Sequence, residues 1–240
     1  MQPAIQLYTL RELDESVPEL LERVGQTAFE GVEFAGLGES DPEAVAAKLD
    51  ETGLDAAAAH VGIEELEDDL EGTVETYQRL DCDTLVVPYL GEANFATEEA
   101  VADTGRRLVE LAARVEELGS TLAYHNHDHE FVDLGQWSAF ELLVQETDLD
   151  FELDLGWAAA AGHDPTELLS RLTGRVPVVH LKDTADSQSV ELGEGILDSE
   201  ACVEAARDAG AEWLVYEHDE PDDPAASLEH GAETLAALLA

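Results

Sequence analysis

Short apolar runs alternate with longer amphipathic stretches along the whole chain. The runs are AIQLY (4–8), GVEFA (31–35), LDAAAAH (54–60), TLVVPY (84–89), TLAYH (121–125), DFELDL (150–155), VPVVHLK (176–182) and WLVYE (213–217). A helical pattern follows each of these eight predicted strands. It is clearest over residues 97–118, where Val101, Thr104, Leu108, Leu111, Val115 and Leu118 recur at steps of three and four. Ser40-Asp41-Pro42-Glu43 and Asp164-Pro165-Thr166-Glu167 place a capping side chain before a proline in the first turn. Gly53 and Gly119 stand where helices stop. TVETYQRLDCD (73–83) reads as a helix feeding a strand, and the alanines of 158–161 as a loop or short helix.

Eight strand–helix units in 240 residues predict an α/β chain folded as a (β/α)₈ TIM barrel, one domain over residues 1–240. A doubly wound open sheet is the rival. It calls for a glycine-rich turn after the first strand, and TLRELDES stands there instead. No linker-like stretch divides the chain.

The period of two along each strand says which side chains enter the barrel. In DFELDL the apolar set Phe151, Leu153 and Leu155 faces the helices, so Glu152 and Asp154 point inward. The same parity turns His180 and Lys182, Glu217 and Asp219, His125 and His127 inward, along with His60, Glu33, Gln6 and Tyr8. It turns His129 and His218 away. His163 and His230 fall in loop or helix and read as surface residues.

Composition changes the picture in one respect. There are 56 acidic and 11 basic residues, a formal net charge of −45. Nucleic-acid binding needs a basic footprint, and none exists. The acidity is spread over the chain and resembles that of proteins from salt-loving microbes, where salt screens self-repulsion. A halophilic source is the expectation. No run reaches the roughly 18 apolar residues of a membrane helix, and MQPAIQLYTL lacks the features of a signal peptide. Two distant cysteines, Cys82 and Cys202, imply no disulfide framework. A cytoplasmic protein is expected, with no membrane or nucleic-acid partner and with room for a homo-oligomer.

The inward polar residues carry the candidate chemistry. Active sites of (β/α)₈ enzymes lie at the C-terminal ends of the strands. Asp154, His180 and Glu217 end three consecutive predicted strands there. Two carboxylates and an imidazole suit a divalent ion, Mn²⁺, Mg²⁺, Co²⁺ or Zn²⁺, and burying the acids without a cation is costly. An alternative partner for an inward acid is an inward base, such as Lys182 for Glu152. LAYHNHDHEF (122–131) adds His125, His127 and Glu130 as site residues, and Trp157 is a candidate pocket wall. Gly193 and Gly195 of ELGEGILD (191–198) permit close backbone approach at the pocket's edge.

These residues resemble the xylose isomerase-like barrels, the superfamily of sugar phosphate isomerases and epimerases that also holds inosose dehydratases and endonuclease IV. IQLYTLRE, GVEFAGL, LAYHNHDHEF, ELDLGW with GHDP, VVHLKDT, ELGEGILD and VYEHDEPDDP follow in the expected order. The resemblance implies a divalent metal ion on Asp154, His180 and Glu217. It departs from the epimerases at the fifth strand, where their glutamate is replaced by His125. The fourth ligand is then Glu130, His125 or His127.

The implied reaction is proton removal next to the carbonyl of a small sugar or polyol, through an enediolate, as an isomerase or epimerase. Glu217, His125, His127 and Lys182 are the candidate catalytic residues. His60, Glu130, Trp157 and Tyr8 are the candidate substrate contacts. An inosose or keto-sugar dehydratase on the same site is the alternative, and a non-catalytic sugar-binding barrel a second. The net charge speaks against an endonuclease.

Overall fold

A computed structural model describes residues 1–240. Ten strands form: β1 (Gln2–Gln6), β2 (Gly31–Phe34), β3 (Asp55–His60), β4 (Thr84–Val87), β5 (Thr121–His125), β6 (Asp150–Asp154), β7 (Val178–Leu181), β8 (Asp183–Ala185), β9 (Gln188–Val190) and β10 (Trp213–Tyr216). β1 to β7 and β10 close a barrel in the order β1-β10-β7-β6-β5-β4-β3-β2, all parallel. These are the eight runs of the sequence, and closure excludes the open sheet. β8 and β9 are an antiparallel hairpin outside the barrel. No helix is long and apolar enough to cross a membrane.

Each barrel strand leads into helix except β7, which runs first into the β8–β9 hairpin. The longest helix, Glu98–Glu117, buries Val101, Thr104, Leu108, Leu111 and Val115 on its stripe. Asp41 and Asp164 cap their helices through side-chain oxygens, with proline in the first turn. Gly53, in the left-handed region at φ 73°, ends the helix Pro42–Thr52. The alanines of 158–161 fall mostly in a short helix, Leu155–Ala160.

Two apolar regions result. The large one lies between the barrel and its helices and includes Phe34, Phe140, Phe151, Leu153 and Leu214, all fully buried. The small one lies within the barrel and is made of Ala4, Ala57, Ala58, Val86, Ala123, Val178 and Val215. Small side chains fill the narrow interior, and the next inward position on several strands is polar. An irregularity in the β2–β3 pairing skips Ala57 between Val32 and Glu33, so that Glu33 pairs with Ala58. Glu33, Glu152, Asp154 and His180 are fully buried above the apolar layer.

Candidate metal centre

Strand register sets the polar layer. His125 stands beside Glu152, and Asp154 beside His180, as partners across β5–β6 and β6–β7. Lys182 follows His180 by two residues on the same face, and Glu217 follows Val215. Asp154, His125, His180 and Glu217 offer ligand atoms that all lie within 4.8 Å of one another. Of the three candidates for a fourth ligand, His125 is the one that joins Asp154, His180 and Glu217.

Asp154 has two tasks. Its Oδ1 accepts from the Trp157 amide at 2.8 Å and so caps the helix Leu155–Ala160. Its Oδ2 is buried and has no hydrogen-bond partner. That oxygen lies 4.0 Å from His125 Nε2 and 3.9 Å from His180 Nδ1. Two ligands each about 2.1 Å from an ion stand roughly 3–4 Å apart, so these separations suit a shared ion. Glu217 Oε2 lies 3.0 Å from His180 Nδ1. The residues present thus fit a divalent cation. The backbone of Asp154 is held by Asn126, whose Oδ1 accepts from the Asp154 amide at 2.9 Å and whose Nδ2 donates to its carbonyl at 3.2 Å. Asn126 was not singled out from the sequence, because parity pointed it away from the centre.

Lys182 is the nearest fixed positive charge. Its Nζ lies 2.8 Å from Glu217 Oε2, 2.9 Å from Asp219 Oδ1 and 3.3 Å from Asp154 Oδ2. The sequence offered Lys182 as a partner for Glu152, and the structure pairs it otherwise. Glu152 Oε2 instead meets His60 Nε2 at 2.7 Å, His125 Nδ1 at 2.9 Å and His180 Nε2 at 3.2 Å. Glu33 Oε2 also meets His180 Nε2, at 2.5 Å. Of this lower layer, His60, His125, Glu152 and His180 form a second set of potential ligands. Parity turned Glu33 and Glu152 inward, but nothing in the sequence said that they meet three imidazoles.

Glu130 lies elsewhere. Its Oε1 accepts from the Tyr124 hydroxyl at 2.6 Å and its Oε2 from the His127 amide at 2.8 Å. It belongs to neither set of potential ligands and ties the turn after β5 back onto the strand. His129 and His218 stand outside both sets, as parity required. His129 bonds the Leu90 carbonyl, and His218 approaches the Ser189 hydroxyl. His230 is not a plain surface residue: it is half-buried and bonds the Leu192 carbonyl. His163 is also half-buried, packed on Phe131.

A cavity of about 470 Å³ opens over the centre. Tyr8, His60, His125, His127, Lys182 and Glu217 are among its lining, with Tyr89 and Arg11 at its rim. Trp157 backs the wall, its ring stacked on His127 and lying 5.0 Å below Lys182 Nζ. Gly193 and Gly195 do not reach the cavity. Their amides, with that of Leu197, donate to the Asp183 carboxylate at 2.9–3.0 Å and fold the loop on itself.

Burial and neighbouring charges set the protonation states. Burial raises Asp154 to about 6 against the pull of Lys182 and His180. Burial acts the same way on Glu217, but Lys182 and His180 outweigh it and hold the carboxyl well below its usual range. Burial opposes the charge on His180 too, and Glu152 and Glu33 outweigh it, raising His180 well above the usual imidazole value. His125 goes down to about 4, because burial exceeds the help of Glu152. Burial and the nearby His125 push His127 down to about 2. Lys182 is raised: burial works against it, but Asp154, Glu217 and Asp219 prevail.

Fold and site together define a TIM barrel with a buried histidine–carboxylate centre at its C-terminal mouth. Residues 19–238 match the xylose isomerase-like TIM barrel family, and the chain belongs to that family. It is 28% identical over 193 residues to the inosose dehydratase of Geobacillus kaustophilus, covering 69% of this chain and 61% of that protein. It is 27% identical over 158 residues to the L-ribulose-5-phosphate 3-epimerase UlaE of Escherichia coli, covering 63% of this chain and 55% of the epimerase. The chain thus spans a little over half the length of these curated relatives. In structure it resembles a sugar phosphate isomerase/epimerase from Parabacteroides distasonis, with a TM-score of 0.85 over 98% of both chains and 18% identity. That likeness concerns the fold.

Proposed function

We propose that this chain is a divalent-metal-dependent enzyme that removes a proton next to the carbonyl of a small sugar or polyol, as an isomerase or epimerase. The observation that carries the reading is the convergence of His125, Asp154, His180 and Glu217 beneath a cavity lined by Lys182 and His127. These four would hold the ion; Mn²⁺, Co²⁺, Zn²⁺ and Mg²⁺ all accept oxygen donors, and the two imidazoles favour the first three. When bound, the ion supplies positive charge that polarises the carbonyl and offsets the charge developing beside it.

The chain's own groups do the rest. Glu217 stays ionised beside Lys182 and is available to take a proton. His127 stays neutral and lines the cavity, so its ring can share a hydrogen bond with a substrate hydroxyl. Lys182 stays charged among Glu217, Asp219 and Asp154 and presents that charge to a substrate oxygen in the cavity. Tyr8, Trp157 and His60 shape and dry the pocket, with Glu130 fixing the His127 loop from behind.

The fate of the proton distinguishes the reactions. Returned to the other face of the same carbon, it gives an epimer. Returned to the neighbouring carbon with transfer of the carbonyl, it gives an isomer. Loss of a hydroxide from the next carbon, protonated by Lys182 as it leaves, gives a dehydrated product and water. The likeness to an inosose dehydratase, together with His125 in place of the expected glutamate, supports this dehydratase as the second reading.

The test incubates chelator-stripped and Mn²⁺- or Co²⁺-supplied protein with keto-sugars and inososes in deuterated water. Ion-dependent deuterium uptake next to the carbonyl is expected for all three reactions, and a new absorbance of a conjugated product marks the dehydratase. Ion binding without exchange on any substrate would leave a sugar-binding barrel.

A further inference from the structure

The lower layer of the centre has a task that the ligand set alone does not explain. Three imidazole nitrogens converge on one oxygen, Glu152 Oε2: His60 Nε2 at 2.7 Å, His125 Nδ1 at 2.9 Å and His180 Nε2 at 3.2 Å. Glu33 Oε2 takes the same nitrogen of His180 from β2. Both glutamates are fully buried.

An imidazole nitrogen at hydrogen-bond distance from a carboxylate oxygen carries a proton, because a carboxylate only accepts. His125 therefore holds its proton on Nδ1. His180 meets carboxylates at both nitrogens, Glu152 and Glu33 at Nε2 and Glu217 Oε2 at Nδ1 at 3.0 Å, so an ion held by Glu217 would displace the Nδ1 proton and leave the one on Nε2. An imidazole that ligates through one nitrogen keeps its proton on the other. The nitrogens left for the ion are His125 Nε2 and His180 Nδ1; both face Asp154 Oδ2, a buried oxygen without a hydrogen bond, and His180 Nδ1 also faces Glu217 Oε2.

We infer that Glu152, assisted by Glu33, is a positioning residue that fixes the proton on one nitrogen of both His125 and His180 and so aims the other nitrogen at the ion. This rests on the reading that His125, Asp154, His180 and Glu217 hold that ion. The rival is an ion seated lower, among His60, His125, Glu152 and His180, whose atoms are also close enough. The distances speak against it. The point where the three nitrogens converge is already occupied by the glutamate oxygen itself. Carboxylates behind ligating histidines fix tautomer and ring orientation, and losing one typically weakens metal binding by about 10–100-fold.

The probe is Zn²⁺, added to chelator-stripped protein carrying ¹⁵N-histidine. Long-range proton–nitrogen spectra of the Zn²⁺-loaded wild-type protein show which nitrogen of each ring is protonated. The expected result is Nδ1–H for His125 and Nε2–H for His180. The opposite assignment for either ring overturns the inference, and this measurement needs no variant to fold. Zn²⁺ affinity, measured against a competing chelator, should fall about 10–100-fold in Glu152→Gln, and by less in Glu33→Gln. An affinity within twofold of wild type in a Glu152→Gln protein that melts normally would overturn it. Asp154→Ala separates the two levels of the account. If it loses affinity while Glu152→Gln does not, the ligand reading stands and the positioning role fails. If Asp154→Ala binds Zn²⁺ unchanged, the ion sits in the lower layer, and Glu152 is a ligand instead.

Discussion

Asp154 shows how much one side chain is asked to do. One oxygen caps a helix, the other is buried beside Lys182 without a hydrogen bond, and its backbone is clamped by Asn126. Replacing Asp154 or Glu217 by alanine should lower divalent-ion affinity by more than the roughly 10–100-fold cost of losing a supporting partner, and should abolish deuterium uptake. His230→Gln should change neither; metal content by emission spectroscopy and exchange by mass spectrometry read both. The pH dependence follows from the same residue. Asp154 sits at about 6 without the ion, and an ion binds only its ionised form. A proton therefore competes as pH falls through that value, and affinity should drop by about tenfold per pH unit for each proton displaced. Calorimetric titrations from pH 8 to 5 check this, and a flat affinity would contradict it. Parity along short strands was enough to turn these acids and histidines inward. Their partners were not legible: whether Glu152 meets Lys182 or three histidines depends on barrel stagger, which brings β3, β5 and β7 onto one oxygen. Glu130 was misplaced for a related reason, since the turn after β5 follows no strand parity and curls the carboxylate back to Tyr124.

At the scale of elements, the centre depends on close packing behind it. A Cβ on Gly156 would lie 2.4 Å from the Lys182 carbonyl oxygen. The helix Leu155–Ala160 can lie against the end of β7 only because that position is glycine. Gly156→Ala should push the helix outward, cost roughly 1–3 kcal/mol as an overpacking change, and weaken ion binding through Asp154. A urea midpoint shift with Zn²⁺ titration tests both. Asp183 does similar work for the 191–198 loop by accepting four amides, those of Thr184, Gly193, Gly195 and Leu197. Asp183→Ala leaves them unmatched, at roughly 1–3 kcal/mol for a buried group left unsatisfied, and should expose the loop to protease cleavage. The eight barrel strands and their helices were legible because hydrophobic period and caps agree. The β8–β9 hairpin was not. Its strands have three residues each, and its turn uses Asp186 and Ser187 at positive φ, 51° and 61°, where Asn-Gly or Asp-Gly is the usual signal.

At the scale of the whole molecule, 45 excess negative charges must coexist on one barrel. Arg23, Lys48, Arg79, Arg106, Arg107 and Arg171 each already pair with a carboxylate, so the remaining acids repel one another with few fixed cations to relieve them. Raising salt from 0.1 M to 1 M shortens the screening length from about 10 Å to about 3 Å. The melting temperature should therefore rise steadily across a KCl series, as circular dichroism would record; no change up to molar salt would count against this reading of the charge.

The most direct test of the account is where an ion sits. Anomalous diffraction from crystals soaked in Zn²⁺ should give one strong peak bounded by His125 Nε2, Asp154 Oδ2, His180 Nδ1 and Glu217, above Glu152. A peak among His60, His125, Glu152 and His180 in the lower layer, or no peak at the barrel mouth in a soak that loads Zn²⁺ elsewhere, would contradict it.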